Sequence, residues 1–351
     1  MMTGTQRIRA LLEGGAIDRT PIGGWYHMPL VDRNVTDFTR ELIASTDLNR
    51  WDFIKIMTNG HFYTEAYGGE IDFSRTYNRW NGTIKKYPIR SAADARNLPV
   101  LDISNPVWQR ELQIVRNLKA HYGDSLPIVA TIFNPLTAVQ ECAGCLDPAP
   151  MIRLMAEDPD ALHKALEAMV QTNQIYLDAL FEEGIDGIFL ANQYAMSYLL
   201  TDAQYEEFCQ SYEARLLEHC KGHTWFNMAH VHGSRCLRMD RYLSYSDDML
   251  QALNWESCPA GVPEEEIVSI ADVRAKSGKL IIAGFDQNTD LLTPENDREV
   301  VKTALKRRFL AAEKENGSNR FVFAPGCCLE AGGSYLNALI YEVAEELGQS
   351  R

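Results

Sequence analysis

Short apolar runs separated by helical stretches recur along this chain. The runs are rich in β-branched and aromatic residues, and they cover residues 21–28, 51–59, 127–134, 185–193, 224–232, 252–257, 279–287 and 320–327. Runs of this length and composition are typical of strands buried on both faces. Their alternation with helical stretches predicts a parallel sheet, and eight such strands predict a closed (β/α)8 TIM barrel of the α/β class.

The clearest helical pattern covers residues 158–183. Asp158 is a suitable N-cap, Pro159 suits the first turn, and Gly184 is a suitable stop. A mostly apolar stripe at helical spacing predicts one buried face, and it consists of Leu162, Leu166, Met169, Asn173, Tyr176, Leu177 and Leu180. A second helical stretch, residues 105–123, leads into the third run.

The segment between the second and third runs is longer than the repeat requires. It contains two alternating stretches around Asn81-Gly82, a strong hairpin signal. We therefore expect an antiparallel hairpin insertion at approximately residues 68–92, between strands 2 and 3. We expect a single domain over residues 1–351.

Composition and charge limit the kinds of molecule that this protein can be expected to bind. The chain has 351 residues, of which 46% are hydrophobic, enough for a large core. Its net charge of −14 argues against a nucleic-acid partner, because phosphate binding needs a basic face. No apolar run reaches the ~18 residues of a membrane span, and the N-terminus lacks a signal-peptide core, so we expect a cytoplasmic protein with no membrane partner. The oligomeric state stays open, and a homodimer is possible.

Polar side chains stand at the ends of the predicted strands. In a TIM barrel these ends meet at one rim, where catalytic residues lie. The rim residues are His27, Asn59, Asn134, Asn192, Gln193, His230, His232, Glu256, Asp286, Gln287 and Cys327.

The sequence "HVHG" places His230 and His232 on the same side of a strand, because residues i and i+2 face the same way. They are either two ligands of one metal ion, or one buried histidine with satisfied hydrogen bonds and one exposed histidine. Cys327 ends the eighth run, after Pro325-Gly326. Two His and one Cys at one barrel mouth make a three-ligand set with an open position, as catalytic zinc requires.

The chain has eight cysteines, which we expect to be reduced thiols rather than a disulfide framework. Cys328 is adjacent to Cys327, so the two cannot easily face the same ion. Cys142 and Cys145 form a lone Cys-x-x-Cys, which we interpret as core or incidental. The remaining cysteines are expected to be buried small hydrophobic residues, and they are Cys209, Cys220, Cys236 and Cys258.

Six motifs occur in a characteristic order along most of the chain: "RIRALLEGGAIDRTPI", "FNPLTAVQECAG", "EEGIDGIFLANQ", "AHVHG", "IIAGFDQ" and "FVFAPGC". With these motifs the chain, from about residue 5 to residue 345, resembles the uroporphyrinogen decarboxylase superfamily. The resemblance implies a TIM barrel. It also implies one of two activities, tetrapyrrole decarboxylation or corrinoid-dependent methyl transfer.

The decarboxylase branch carries an arginine-rich "RQAGR" segment after the first strand and an aspartate near the end of the second. Here the first position reads "GGWYHMPLVDR", and the second offers Asn59. The resemblance therefore does not favour tetrapyrrole decarboxylation. A divergent, metal-free decarboxylase or lyase is the alternative enzyme.

The methyltransferase branch binds zinc through a His-x-Cys after the fifth strand and a Cys in a "PGC" turn after the eighth. By position these ligands are His230, His232 and Cys327, with His232 replacing a cysteine. One thiolate instead of two makes the metal a stronger Lewis acid, which suits an oxygen ligand better than thiol activation. The resemblance implies zinc and a corrinoid (cobalamin) carried by a separate protein.

This reading assigns roles to the other rim residues. Glu256 and Asp286 are candidates for proton handling or hydrogen bonding at the rim, and the candidate substrate-binding residues are Tyr26, His27, Asn59, Asn192 and Gln193. Structural packing at the rim is the alternative role for Tyr26, His27 and Asn192. The activity would exchange a methyl group between the corrinoid and a methyl ether or thiol. A binding protein without turnover is the non-enzymatic alternative.

Overall fold

The computed structural model describes residues 1–74, 82–291 and 297–348. Its strands are β1 (Ile54–Lys55), β2 (Glu70–Asp72), β3 (Thr83–Lys86), β4 (Ile128–Phe133), β5 (Gly187–Asn192), β6 (Met228–Val231), β7 (Ala252–Asn254), β8 (Leu280–Phe285) and β9 (Phe321–Pro325).

The helices surround these strands. They are α1 (Gly4–Glu13), α2 (Val35–Asn49), α3 (Phe62–Ala66), α4 (Ala92–Arg96), α5 (Pro106–Tyr122), α6 (Pro135–Glu141), α7 (Ala149–Glu157), α8 (Pro159–Glu182), α9 (Asp202–Tyr205), α10 (Ser211–Cys220), α11 (Met239–Leu243), α12 (Ile270–Lys276), α13 (Arg298–Asn316) and α14 (Ala338–Gly348). A π-helical turn, Glu206–Gln210, joins α9 to α10, and 3-10 turns cover Glu264–Glu266 and Tyr335–Asn337.

Seven strands form one parallel sheet in the order β1-β4-β5-β6-β7-β8-β9. The α/β class and the parallel sheet are therefore confirmed. The first predicted run is the exception, because residues 21–28 contain no strand and contribute only a bridge between Ile22 and Phe323.

Backbone hydrogen bonds nevertheless connect this segment to both edges of the sheet. The amide of Gly23 donates to the carbonyl of Phe323 on β9 (3.1 Å), and the amide of Asp52, just before β1, donates to that of Ile22 (3.0 Å). The Asp52 carboxylate also accepts from the Ile22 amide and from the guanidinium groups of Arg7 and Arg19. These few backbone bonds and the Asp52 carboxylate thus hold the segment in place of the continuous hydrogen-bond ladder of a regular strand.

Strands β2 and β3 form a separate antiparallel sheet, with Ile71 opposite Ile84. They lie between β1 and β4 in the chain, as predicted for the insertion. In the predicted Asn81-Gly82 turn, Asn81 lies outside the described residues.

The inside of the curled sheet is filled by alternate side chains of the strands. Val129, Met228 and Ile282 belong to this inner cluster, together with Ile8 and Leu11 of α1. The amide of Thr5 donates to the carbonyl of Ser125, close to the N-terminal end of β4. Helix α1 therefore closes the N-terminal end of the sheet, and the opposite end stays open.

The strongest helix predictions are confirmed. Helix α8 begins at Pro159, its N-cap Asp158 accepts from the Ala161 amide, and Gly184 has a left-handed φ of 75° just beyond its end. The predicted stripe of α8 is buried. Within the described part of the chain, no helix is both long and apolar enough to cross a membrane.

Candidate active site

A cavity of about 440 Å³ opens at the C-terminal ends of the strands. Its walls are apolar, and they include Trp25, Phe133 and Phe189. Polar side chains from several strands converge on it, among them His230, His232 and Cys327. This combination of apolar walls and a few convergent polar groups is typical of a small-molecule site.

The three predicted metal ligands lie together. Nε2 of His230 is 3.4 Å from Nδ1 of His232 and 3.9 Å from Sγ of Cys327. All three ligand atoms lie within 4.8 Å of one another. Ligands bound to one tetrahedral zinc ion lie about 3.3–3.8 Å apart, so these side chains fit a zinc ion after small adjustments.

Asn254 fixes the orientation of His230. The register of β6 and β7 places the two residues side by side, and Nδ1 of His230 lies 2.6 Å from the Asn254 side-chain oxygen. The Asn254 amide group donates to the carbonyls of Ile282 (2.7 Å) and Pro325 (2.9 Å), so its oxygen must face His230. The proton of His230 is therefore on Nδ1, and Nε2 offers its lone pair to the cavity.

The surroundings of Cys327 favour its thiolate. A hydrogen bond from Cys328 holds the pKa of Cys327 well below the usual value. Burial opposes this shift, and a hydrogen bond from His232 adds to it. The same hydrogen bond, together with burial, raises the pKa of Cys328. Burial lowers the pKa of His232. The hydrogen bond to Cys327 and the negative charge of Cys327 raise this pKa by more, so the net shift is upward. Cys327 is thus prepared as a ligand, and Cys328 stays a thiol.

Close packing positions the turn that carries Cys327. A Cβ added to Gly326 would lie 2.5 Å from Cα of Glu256, so only glycine fits there. The Cys327 amide donates to Gln287 (3.2 Å), and the Gln287 amide group lies 3.5 Å from Oε1 of Glu256. Burial and the charge of Cys327 raise the pKa of Glu256, a cavity-lining carboxyl group.

Lys55 brings a buried positive charge to the cavity wall. It is 5% exposed, and its Nζ lies 4.5 Å from the ring centre of Phe189, which also stacks on His230. Its hydrogen-bond partner is the sulfur of Met57, and no carboxylate of the described residues forms an ion pair with it. Burial lowers the pKa of Lys55 to about 8, and the cysteines at 327 and 328 partly offset this.

Of the other predicted site residues, His27, Gln193 and Glu256 line the cavity. Burial, followed by the charge of Lys55, lowers the pKa of His27 to about 3, so this imidazole is neutral at pH 7. Gln193 accepts a hydrogen bond from Gln140 (3.1 Å).

Asn192 and Asn134 lie behind the cavity wall. Their amide groups both donate to Oε2 of buried Glu213, at 2.9 and 2.8 Å. Their side-chain oxygens accept from the amides of Tyr194 and Leu136, which starts the next turn in each case. Both asparagines therefore stabilise the rim and do not face the cavity.

Asn59, Asp286 and Tyr26 are also outside the cavity lining. Asn59 donates to Asp32 (3.2 Å) and accepts from the His61 amide (2.9 Å). Asp286 accepts from the amides of Ala260 and Asn288, each at 2.8 Å. These contacts give Asn59 and Asp286 structural roles in the loops, and Tyr26 lies at a separate, much smaller pocket.

All eight cysteines are free thiols. Cys142, Cys209 and Cys220 are buried, as predicted, whereas Cys236 and Cys258 are half-buried. Cys145 is not a core residue. Its sulfur lies 4.0 Å from Nδ1 of His61, and with Glu141 these residues form a second cluster of ligand atoms.

Sequence reasoning did not identify Asn254, Lys55 or Glu141. The first two carry a signal, because Asn254 is two residues before Glu256 and Lys55 is a charge within an apolar run. Glu141 reaches the cavity from the end of α6, where strand periodicity gives no information.

Residues 43–336 match the model of the uroporphyrinogen decarboxylase (URO-D) family. This match covers most of the chain, so the protein belongs to that family. The resemblance noted from the motifs is therefore confirmed.

Individual relatives come from both functional branches. A uroporphyrinogen decarboxylase of Corynebacterium efficiens is 21% identical over 62% of this chain and 59% of its own length, so the match spans little more than half of that enzyme. The methylcobamide:CoM methyltransferase MtaA of Methanosarcina barkeri is 20% identical over 65% of this chain and 68% of its own. Among solved structures, a methyltransferase from Methanosarcina mazei superposes with a TM-score of 0.76 and 19% identity over 99% of both chains. That likeness shows a shared fold.

Proposed function

We propose that this protein is a zinc-dependent methyltransferase that exchanges a methyl group between a small substrate and a corrinoid on a partner protein. The observation that carries the proposal is the convergence of His230, His232 and Cys327 at the open end of the sheet, inside an apolar cavity. The name of the Methanosarcina barkeri relative, a methylcobamide:CoM methyltransferase, supports a corrinoid as the methyl carrier.

The donor set fits zinc. Two imidazole nitrogens and one thiolate are common zinc ligands, and three of them leave a position for substrate. Asn254 presents Nε2 of His230, and the hydrogen bond from Cys328 lowers the pKa of Cys327, which favours its thiolate form. Zinc held by these residues would supply Lewis acidity to a heteroatom of the substrate.

Lys55 indicates the class of substrate. A buried ammonium group without a carboxylate partner is costly, and an anionic group of a bound molecule would offset that cost. Lys55 faces the same cavity as the three ligands, and both Lys55 and His230 contact the Phe189 ring. We infer a substrate that presents its reacting heteroatom to the ligands and an anionic group to Lys55.

Glu256 is placed to move the proton that the reaction requires. With a methyl ether as donor, the carbon–oxygen bond would break, the methyl group would pass to the reduced corrinoid, whose electron pair makes the new bond, and the oxygen would gain a proton. With a thiol as acceptor, the methyl group would leave the methylated corrinoid, which keeps the bonding electron pair, and the sulfur would bond the methyl carbon and lose its proton. Glu256 lines the cavity, and burial together with the charge of Cys327 raises its pKa, which makes it the candidate proton carrier. Trp25, Phe133 and Phe189 would keep water away from the reacting atoms.

The test combines metal content with methyl transfer. The purified chain is supplied with zinc, and its metal is measured beside His230→Ala, Cys327→Ser and two controls outside the site, His121→Ala and Cys258→Ser. Reduced cobalamin with methoxylated aromatic acids, and methylcobalamin with thiols, serve as substrates, and the cobalamin spectrum reports transfer. We expect transfer that is lost in both site variants and kept in both controls.

Transfer that survives in His230→Ala would overturn the zinc mechanism. A chain that binds no zinc, and that releases carbon dioxide from a carboxylated substrate, would instead establish the metal-free decarboxylase.

A further inference from the structure

We propose that His61, Glu141 and Cys145 form a second divalent-cation site, suited to zinc, beside the cavity. The site is separate from the cluster of His230, His232 and Cys327, and it does not depend on the proposed methyl transfer. The three ligand atoms lie within 4.8 Å of one another. Nδ1 of His61 is 3.6 Å from Oε2 of Glu141 and 4.0 Å from Sγ of Cys145.

The hydrogen bond of His61 directs Nδ1 toward the cluster. Nε2 lies 3.1 Å from the carbonyl oxygen of Gly82, which can only accept. Nε2 therefore carries a proton, and in the neutral imidazole the lone pair belongs to Nδ1. That lone pair points at a carboxylate oxygen and a sulfur, an arrangement that a cation between them would stabilise.

Glu141 supplies an independent observation. The residue is 2% exposed, and its Oε2 has no hydrogen-bond partner of ordinary geometry among the described residues. No lysine or arginine in the described ranges forms an ion pair with it. The only side-chain hydrogen bond to this carboxylate among the described residues comes from the Cys145 thiol, a weak donor. A buried carboxylate oxygen without a hydrogen-bond partner is unfavourable, whereas a carboxylate that ligates a cation is stable.

The donor set indicates which cation would bind. One imidazole, one carboxylate and one thiolate are ligands that zinc accepts together, whereas magnesium and calcium prefer oxygen alone. The separations of 3.6 and 4.0 Å are close to the ligand spacing of a tetrahedral ion, which is about 3.3–3.8 Å.

A cation here would connect three separate parts of the rim. His61 precedes α3, Glu141 ends α6, and Cys145 lies in the following loop. Through His61, the site also reaches Gly82 at the start of the antiparallel pair. Glu141 lines the cavity itself, so the ion would fix the insertion and one wall of the cavity relative to each other.

The test is zinc stoichiometry. The chain is loaded with zinc, dialysed, and analysed beside Glu141→Gln, Cys145→Ser, His230→Ala and the half-buried control Cys258→Ser. We expect two zinc ions per chain in the unmodified protein and in the control. Glu141→Gln and Cys145→Ser should each lose one, His230→Ala should lose the other, and Glu141→Gln combined with His230→Ala should lose both.

The absorption spectrum of the cobalt-loaded protein is a second readout, which identifies the cysteine that ligates the ion. In a Cys327→Ser background, loading with Co²⁺ should leave a thiolate-to-cobalt absorption band, and adding Cys145→Ser should abolish it. Zinc content that is unchanged in Glu141→Gln, with no such band, would overturn the proposal and leave an imidazolium–carboxylate pair. Loss of one zinc in Glu141→Gln while His230→Ala loses none would support this site and contradict the proposed function.

Discussion

Nδ1 of His230 and the side-chain oxygen of Asn254 lie 2.6 Å apart, on neighbouring strands and in register. Because the other end of the Asn254 amide is held by two backbone carbonyls, this hydrogen bond sets both the tautomer and the orientation of the imidazole. This hydrogen bond therefore connects the pairing of β6 with β7 directly to the candidate metal site.

Asn254→Ala should therefore weaken zinc binding without removing any ligand. Partners of ligating histidines affect metal affinity by about 10–100-fold, and we expect a loss in that range, measured by competition with a zinc chelator. Asn227→Ala is the control, since Asn227 is a buried asparagine directly before β6 that accepts from the Ile188 amide and donates to the Met249 carbonyl, with no contact to a candidate ligand. Equal affinity in Asn254→Ala and the unmodified protein would show that Asn254 does not position His230.

Gly326→Ala should displace Cys327 from the two histidines. The added Cβ would meet the backbone of Glu256 at 2.5 Å, and backbone atoms cannot turn aside as a flexible side chain can. We expect loss of zinc at the His230–His232–Cys327 site, together with a lower melting temperature. Gly278→Ala is the control, because its Cβ would meet only the end of Arg320 at 3.5 Å. A Gly326→Ala protein with unchanged zinc content would contradict the close approach.

Lys55→Met should weaken the binding of an anionic substrate without lowering the stability of the fold. Removing the charge should leave the free energy of unfolding unchanged or raise it, because a buried ammonium group is lost. With an anionic methyl donor we expect KM to rise at least tenfold, while a neutral analogue keeps its KM.

The titration of Lys55 gives a pH dependence of its own. Its lowered pKa of about 8 means that the ammonium form disappears as pH rises through 8. KM for the anionic donor should therefore increase above pH 8 in the unmodified protein and stay constant in Lys55→Met. An identical pH profile in both proteins would rule Lys55 out as the anion-binding group.

Glu111→Gln tests a buried carboxyl group remote from the cavity. Burial raises the pKa of Glu111 to about 7, although Arg110 partly opposes the shift. A raised pKa means that the folded state binds the proton more tightly, so this stability is complete below the unfolded pKa of about 4.3 and is lost as pH rises through 7.

Between pH 5 and pH 8 the free energy of unfolding, measured with urea, should accordingly decrease more in the unmodified protein than in Glu111→Gln, by on the order of 2–3 kcal/mol. Asp32, whose pKa burial raises to about 6, should account for part of the remaining decrease. A Glu111→Gln protein whose stability falls as steeply as that of the unmodified protein would show that Glu111 is ionised throughout.

The hydrophobic pattern predicted the parallel sheet well, because strands buried on both faces need continuous apolar runs. It failed at residues 21–28, where Asp52 and backbone bonds of the neighbouring segments replace a regular ladder. Period-two spacing correctly predicted that His230 and His232 lie together, since His230 is in β6 and His232 directly follows it without a break.

The same approach did not resolve the asparagines. Asn59, Asn134 and Asn192 all stand at strand ends, but their side chains accept from the amides of the next turn. This capping is a local structural role. In the sequence, a polar residue at the end of an apolar run looks the same whether it caps a turn or contacts a ligand. Glu141 was missed because it reaches the cavity from the end of a helix, and His61 because it lies in a loop; both positions depend on tertiary packing.

Cys327 lies two residues beyond β9, the last strand in chain order among those described, whereas His230 lies in β6 and His232 directly follows it. During synthesis the two imidazoles therefore leave the ribosome well before the thiol that completes their set. If the proposed site holds a metal ion, its high-affinity capture would have to wait until β9 has docked on β8. Once captured, the ion would resist peeling of that strand, and proteolysis of the metal-loaded chain should begin elsewhere.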